Sequence, residues 1–263
     1  MAEPEAVSTA RRIVLVVEYD GANYYGFQLQ STLPTIQEQI EKALTRLTGE
    51  QTRLASASRT DTGVHAKGQV LSFRTQATFA PKVFVNGLNY YLPADIAVKA
   101  AYHVADSFDV RRNAVSREYR YYVLNSPTRS PLRERFCYRV KGKLDTDLMS
   151  QACAALIGVH DFASFASQVE DRAKSTVRHV YQANIERVGE LVVFSMTANA
   201  FLTHQIRNTV GALLRIGLGR LSIEEFNNII SAKQPGLAGP AAPAHALFLM
   251  RINYPSSFGE RSE

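Results

Sequence analysis

The sequence predicts an α+β protein made of two consecutive units with one element order, β-α-β-β-α-β, the split βαβ arrangement. Three observations point there. Short β-branched runs of strand period alternate with stretches of helical period. The order of elements starts afresh after residues 111–116. Cap and turn residues stand at the joints between elements. No sequence identity is visible between the halves, so the repeat is architectural. The expected domains are residues 1–113 and 114–263.

In the first unit, Arg12 to Tyr19 is apolar and β-branched and reads as a strand, followed by a Gly- and Tyr-rich loop from Asp20 to Gln30. Thr35 to Thr48 is a helix. Thr35 and Glu38 are spaced as a capping box, Ile36, Ile40, Ala43, Leu44 and Leu47 form one apolar face, and Gly49 closes it. Arg53 to Arg59 and Gln69 to Arg74 are strands flanking a turn. Lys82 to Tyr91 is a helix opened by Pro81, and Ile96 to Val104 a strand. The second unit repeats this. Ser116 to Leu124 is a strand, Thr146 to Ile157 a helix, and Val177 to Arg187 with Leu191 to Thr197 a hairpin about Gly189. Thr203 to Leu218 is a helix and Leu247 to Tyr254 a strand. Additions are the basic segment Ser126 to Gly142, the loop His160 to Ala173, a short helix Ile223 to Ile230, and a Pro/Gly/Ala loop from Pro235 to Pro243.

The chain has 263 residues and is 46% hydrophobic, enough for a sizeable core. No apolar run approaches a bilayer span, so no membrane partner is expected. The opening MAEPEAVSTARR is neither a signal peptide nor a transit peptide. Cys137 and Cys153 are too few for a disulfide framework or a zinc site, which fits buried thiols in a reducing cytoplasm. The six histidines are scattered without metal-ligand spacing, and no phosphate-loop or dinucleotide fingerprint is present, so neither a metal nor a cofactor is expected. Net charge is +6, but Arg111 to Lys143 holds ten bases opposed only by Glu118 and Glu134, a local +8 exceeding that of the whole chain. A charge run is usually a solvated face. A single-sign block interleaved with Tyr119, Tyr121, Tyr122, Phe136 and Tyr138 suits a nucleic-acid surface instead.

Four segments carry candidate chemistry. ASRTDTGVHAKGQV (57–70) sets Asp61 on a tight turn between strands, with Arg59 placed to hold the carboxylate ionised and Gly63 free to take positive φ. A turn aspartate paired with a local arginine is the plainer account of the same residues. FLTHQIRNTVG (201–211) puts Arg207 in the first turn of a helix, where a cation opposes the macrodipole at a cost up to about 1 kcal/mol, and where helix start plus arginine make an anion site. If the halves pack side by side, Arg207 faces Asp61. In REYRYY (117–122), Arg117, Tyr119 and Tyr121 share one strand face, apt for base stacking or simply for the core. DGANYYGFQLQ (20–30) is a polar loop suited to RNA, though weakly diagnostic alone. Asp61-Thr62-Gly63 also spells the aspartic-protease tripeptide, but that chemistry needs two carboxylates sharing a proton and the chain holds no second copy.

These residues resemble the tRNA pseudouridine synthases of the TruA type. The likeness runs nearly end to end: YDGANYYGFQLQ with TIQEQIEKAL, SRTDTGVHAKGQV, NYYLPADIAV, SFDVRRNAVSREYRYYVLN, GVHDFASFA, FLTHQIRNTVGALLRIGLG and GLAGPAAPAHALFLMRINYP. Ser58 stands where glycine is usual, Thr62 where alanine is usual and Ala241 where threonine is usual. The resemblance implies two ferredoxin-like halves whose antiparallel sheets join into one, helices on one face and a central cleft between the halves. It implies a homodimer contacting tRNA, and cofactor-free isomerisation of uridine to pseudouridine at positions 38, 39 and 40 of the anticodon stem-loop. By the same match Asp61 is the catalytic group, as nucleophile or as base. Arg207 pairs with it, Tyr119 stacks on the uracil, and Arg59 enters the space left by a flipped base. The alternative is a non-catalytic RNA-binding protein on the same scaffold, which would bind RNA without changing its nucleosides.

Overall fold

A computed structural model of the chain describes residues 10–167 and 175–255. The first unit comprises β1 (Arg11–Tyr19), α1 (Ile36–Thr48), β2 (Ala55–Ser56), β3 (His65–Thr75), α2 (Pro81–Tyr91) and β4 (Ile96–Val104). The second comprises β5 (Ser116–Asn125), β6 (Tyr138–Val140), α3 (Thr146–Ala154), β7 (Gly158–Asp161), β8 (Val177–Val188), β9 (Leu191–Ala198), α4 (Gln205–Gly217), α5 (Ile223–Ala232) and β10 (Leu247–Asn253). All ten strands form one sheet, running β4-β1-β3-β10-β5-β9-β8-β7, with β2 on β3 and β6 on β5. The order β4-β1-β3-β2 in the first unit recurs as β10-β5-β9-β8 in the second. This is the split βαβ order twice over, and the fold is α+β, as the periodicities indicate.

Pairing within β4-β1-β3 and within β10-β5-β9-β8 is antiparallel, and the seam between the units is parallel, Phe248 opposite His65 and Leu249 opposite Ala66. The seam exists because β2 is so short. The sequence suggests a strand from Arg53 to Arg59, yet β2 has two residues and covers only Ser72 and Leu71 of β3. The other end of the same β3 edge is left for β10. There the two backbones run so close that a Cβ on Gly68 would lie 2.7 Å from the Met250 carbonyl oxygen.

Local signals set most element ends. Thr35 Oγ1 accepts from the Glu38 N–H at 3.3 Å, but the Glu38 carboxylate pairs with Lys42 at 2.6 Å, so only half of the expected capping box forms. The complete box is at the start of α5, between Ser222 and Glu225. Gly49 ends α1 at φ 76° and Pro81 opens α2. Helix α3 stops at Ala154, short of the expected Ile157, and α4 starts at Gln205 rather than Thr203. Strand β6 arises inside the basic segment Ser126 to Gly142, and β7 runs from Gly158 into the start of the expected 160–173 loop. Of the expected 160–173 loop, residues 168–173 lie outside the described residues. In β5 the alternation holds: Arg117, Tyr119 and Tyr121 are buried while Arg120 is exposed. Cys153 is buried and burial pushes its thiol up to about 12, while Cys137 is half-buried. Among the described residues no helix is long and apolar enough to cross a membrane.

Candidate active site

Asp61 sits on the loop between β2 and β3. The Val64 N–H donates to the Asp61 carbonyl at 3.1 Å, closing a four-residue turn whose third residue is Gly63 at φ 76°. The 20–30 loop clamps this turn. Phe27 N–H donates to the Thr60 carbonyl at 3.0 Å and Gly63 N–H to the Tyr24 carbonyl at 3.4 Å. A Cβ at Gly21 would meet the Val64 carbonyl oxygen at 2.0 Å, so glycine alone permits that approach. Beneath the turn, Tyr19 and Thr60 hydroxyls bond at 2.7 Å, and Gln69 Nε2 donates to the Ser58 carbonyl at 2.8 Å. The aspartate's backbone is therefore fixed from three sides, which suits a side chain that must be held for a reaction.

The carboxylate meets the second unit. Arg207 Nη1 lies 3.5 Å and His204 Nε2 3.4 Å from Asp61 Oδ2. The two cation-capable groups stand three residues apart, His204 at the N-cap and Arg207 in the first turn of α4. Arg207 is braced by its Nε–H, which donates to the Ala242 carbonyl at 2.8 Å, while Ala242 N–H donates back to the Arg207 carbonyl at 2.9 Å. Helix α4 admits that loop because Gly211 has no side chain: a Cβ there would sit 2.2 Å from the Pro240 carbonyl oxygen. Arg59 does not do what its spacing suggests. It is exposed and forms no ion pair with Asp61, although both line the same cleft; the ion pairs of Asp61 go to His204 and Arg207. Among the described residues the ion-pair partners of Asp61 are a histidine and an arginine, where an aspartic protease sets a second carboxylate.

Tyr119 forms part of the cleft wall. Its hydroxyl bonds Ser58 Oγ at 3.0 Å, and its ring meets Phe201 edge-on with centroids 5.1 Å apart. Burial pushes the phenol up to about 12; the Ser58 hydrogen bond and Arg117 work against that, the Asp61 charge with it. Ser58 thus touches the tyrosine. Arg117 is the least expected member. It is 8% exposed, and its guanidinium donates to four carbonyls: Ala114 (3.2 Å), Asn199 (2.6 Å), Ala57 (3.1 Å) and Arg111 (3.0 Å). Burial pulls its pKa down.

Asp61, Tyr119, Arg59 and Arg207 all line one cleft of about 710 Å³, whose wall also carries Arg12, Arg111, Arg112 and Arg117 against one further acid, Asp109. Six arginines against two aspartates make the wall cationic, and Arg59, Arg111 and Arg112 are the three of them that are exposed. The ten-base block does not act as one face, however. Arg117 turns inward; Arg135, Arg139 and Arg133 pair with Asp20, Glu134 and Glu190. Arg111 and Arg112 reach the cleft.

Behind the turn lies a second charged cluster. His65 is buried, stacked on Phe248 with centroids 4.6 Å apart. Its Nδ1 is 2.9 Å from Asp20 Oδ1 and 3.0 Å from the Gly21 N–H, and its Nε2 faces the His245 carbonyl at 3.0 Å. Arg135 donates to Asp20 Oδ2 from Nε (3.1 Å) and Nη2 (2.6 Å). Burial lowers the imidazole below its ordinary value, against the pull of Asp20. For Asp20, burial raises and the Ala22 N–H, Arg135 and His65 lower, leaving a net lowering.

Comparisons with known proteins extend over both units. A family profile described as tRNA pseudouridine synthase matches residues 15–111 and 152–255. A tRNA pseudouridine synthase A of Legionella pneumophila (strain Corby) is 39% identical over 249 residues, covering 94% of each chain. That of Thermoanaerobacter sp. (strain X514) is 38% identical over 244 residues, covering 93% of this chain and all of the relative. That of Francisella tularensis subsp. novicida (strain U112) is 38% identical over 245 residues, covering 93% and 95%. With matches on both sides of the cleft and along nearly its whole length, the chain belongs to the tRNA pseudouridine synthase family, enzymes that isomerise uridine to pseudouridine in tRNA.

Proposed function

We propose that the chain isomerises the uridines at positions 38, 39 and 40 of the tRNA anticodon stem-loop, with Asp61 as the catalytic group and the target base flipped into the arginine-lined cleft. The observation that carries this is the convergence of His204 and Arg207 on Asp61 Oδ2 at the wall of that cleft. A stacked uridine must leave the helix before its glycosidic bond can be reached, at a cost of a few kcal/mol. Arg59, exposed and lining the cleft, fills the space it leaves. Arg111 and Arg112 meet phosphates, setting register rather than sequence.

Within the cleft Asp61 either attacks C1′ as a nucleophile or removes a sugar proton as a base. In both routes the N1–C1′ bond breaks, the uracil turns, C5 bonds to C1′, the C5 proton leaves and N1 gains one. Atoms and charge balance without an added reactant. Tyr119, held neutral and oriented by Ser58, gives the turning uracil a flat face. Residues 1–113 and 114–263 serve as the two lips of the cleft. A cytoplasmic homodimer that places one tRNA across both subunits completes the reading.

The test is tritium release from tRNA labelled at uridine C5, with no cofactor added, for the wild type and Asp61→Asn. The expected result is release by the wild type, none by the variant, and tRNA affinity within a few-fold. Release by D61N would overturn the role of Asp61. Release from labelled uridines outside the anticodon stem-loop alone would overturn the assigned target.

A further inference from the structure

His204 occupies the N-cap of α4, yet its side chain makes no hydrogen bond to the helix. N-cap residues ordinarily bond the free N–H groups of the first turn, and histidine is not among those preferred there. Its backbone is also left-handed, φ 61°; among the described residues the only other non-glycine at positive φ is Lys233. Such a conformation costs about 1 kcal/mol or more for an L-residue and persists only where surrounding structure enforces it. Two features enforce it. Gln205 Oε1 accepts from the Leu202 N–H at 2.8 Å, folding the chain back before the helix. The ring itself is held at both nitrogens, Nδ1 by Ser167 Oγ at 2.7 Å and Nε2 against Asp61 Oδ2 at 3.4 Å.

We infer that His204 is a positioning residue for Asp61, and that Ser167 is the support that aims its ring. Ser167 is itself fixed: its N–H donates to the Thr203 carbonyl at 3.4 Å, and Asn208 Nδ2 reaches its Oγ at 3.4 Å while bonding the Phe165 carbonyl at 2.7 Å. The imidazole is thus a rigid strut from the 163–167 segment to the carboxylate. Arg207 alone leaves the carboxyl free to swing about a single contact. A second contact, from the N-cap of the same helix, removes that freedom, because turning away breaks both. The inference rests on the catalytic reading of Asp61.

Glycine and asparagine tolerate the left-handed region, so His204→Gly and His204→Asn remove the ring without straining the helix start. The expected result is a single-turnover rate lower by roughly ten- to a hundredfold, as for a misplaced catalytic group, with tRNA Kd unchanged and Tm unchanged or raised. His204→Gln, whose amide nitrogen reaches the place of Nε2, is expected to recover part of the rate. Ser167→Ala is expected to lower the rate a few-fold in the wild type and not at all beside His204→Gly. A wild-type single-turnover rate for H204G, or a loss that follows Kd or Tm instead of rate, would overturn the inference. Asp61→Asn run alongside separates the two claims. Turnover by D61N removes the role of Asp61 and this inference with it; an inactive D61N beside a full-speed H204G removes this inference alone.

Discussion

Replacing Arg117 is expected to destabilise the protein more through geometry than through charge. The guanidinium spans four carbonyls in two pairs, Nη1 to Ala114 and Asn199, Nη2 to Ala57 and Arg111, and so ties the Asp61 loop to the β4–β5 link and the end of β9. No carboxylate lies within ion-pair distance among the described residues, so the cation is buried without a counter-ion. Arg117→Met keeps the apolar stem and withdraws all donors. The carbonyls at exposed Arg111 and Asn199 regain water; that of Ala57, 3% exposed, does not. One dry carbonyl costs about 1–3 kcal/mol, and the lost charge-assisted bonds, offset by relief of the buried charge, bring the total to about 3 kcal/mol. For a chain of this size that is a fall in Tm of roughly 6–12 °C. Arg117→Lys retains the charge but has one nitrogen with three protons and cannot reach both pairs. It is expected to be no more stable than R117M. Thermal unfolding followed by circular dichroism reads both. Recovery of most of the Tm by lysine would refute the reasoning, since charge and not the planar fork would then be what the site needs.

Gly211→Ala places a Cβ against the Pro240 carbonyl and is expected to push the 240–242 strap off α4, taking the Ala242 carbonyl from Arg207. Single-turnover rate should fall by about an order of magnitude, as for a displaced catalytic group, with far-ultraviolet circular dichroism unchanged; an unaltered rate would show that Arg207 does not depend on the strap. Acidification is expected to destabilise the fold through His65. Its folded pKa is depressed below 6.5, so the unfolded chain takes up the proton first and stability present above 6.5 is lost as pH falls through it, by at most about 1.4 kcal/mol per pH unit. Asp20, also depressed, adds a loss below its ordinary 3.8. In urea titrations between pH 7.5 and 5, His65→Gln should flatten the slope, and equal slopes would exclude His65 as its source.

Much of this architecture is legible in the residues, and the failures have specific causes. Strand and helix periods give the element order because each element buries one face. The Asp61 turn is legible because Gly63 and its flanking strands are local. What local spacing gets wrong is the partner. Arg59, two residues away, looks like the natural counter-ion, but the ion pairs come from His204 and Arg207 at the start of α4, more than 140 residues downstream. The i, i+3 spacing of that pair was a usable signal; the left-handed backbone that aims His204 was not. Arg117 reads as one of ten bases, yet strand parity puts it on the same inner face as Tyr119 and Tyr121. The brevity of β2 has no sequence signal at all, since β-propensity does not say which neighbour an edge will take.

That short β2 has a consequence for the order in which the protein comes into being. Synthesis runs from the first unit to the second, and domains generally begin folding as they emerge. The half-edge of β3 left bare by β2 stays unpaired until β10 is made, a template for unwanted strands meanwhile. Helix α4 precedes β10 in the chain but is braced by the strap at residues 240–242, which leads into it. The nascent chain therefore holds Asp61 early and the braced partners of its carboxylate late, about when β10 closes the seam.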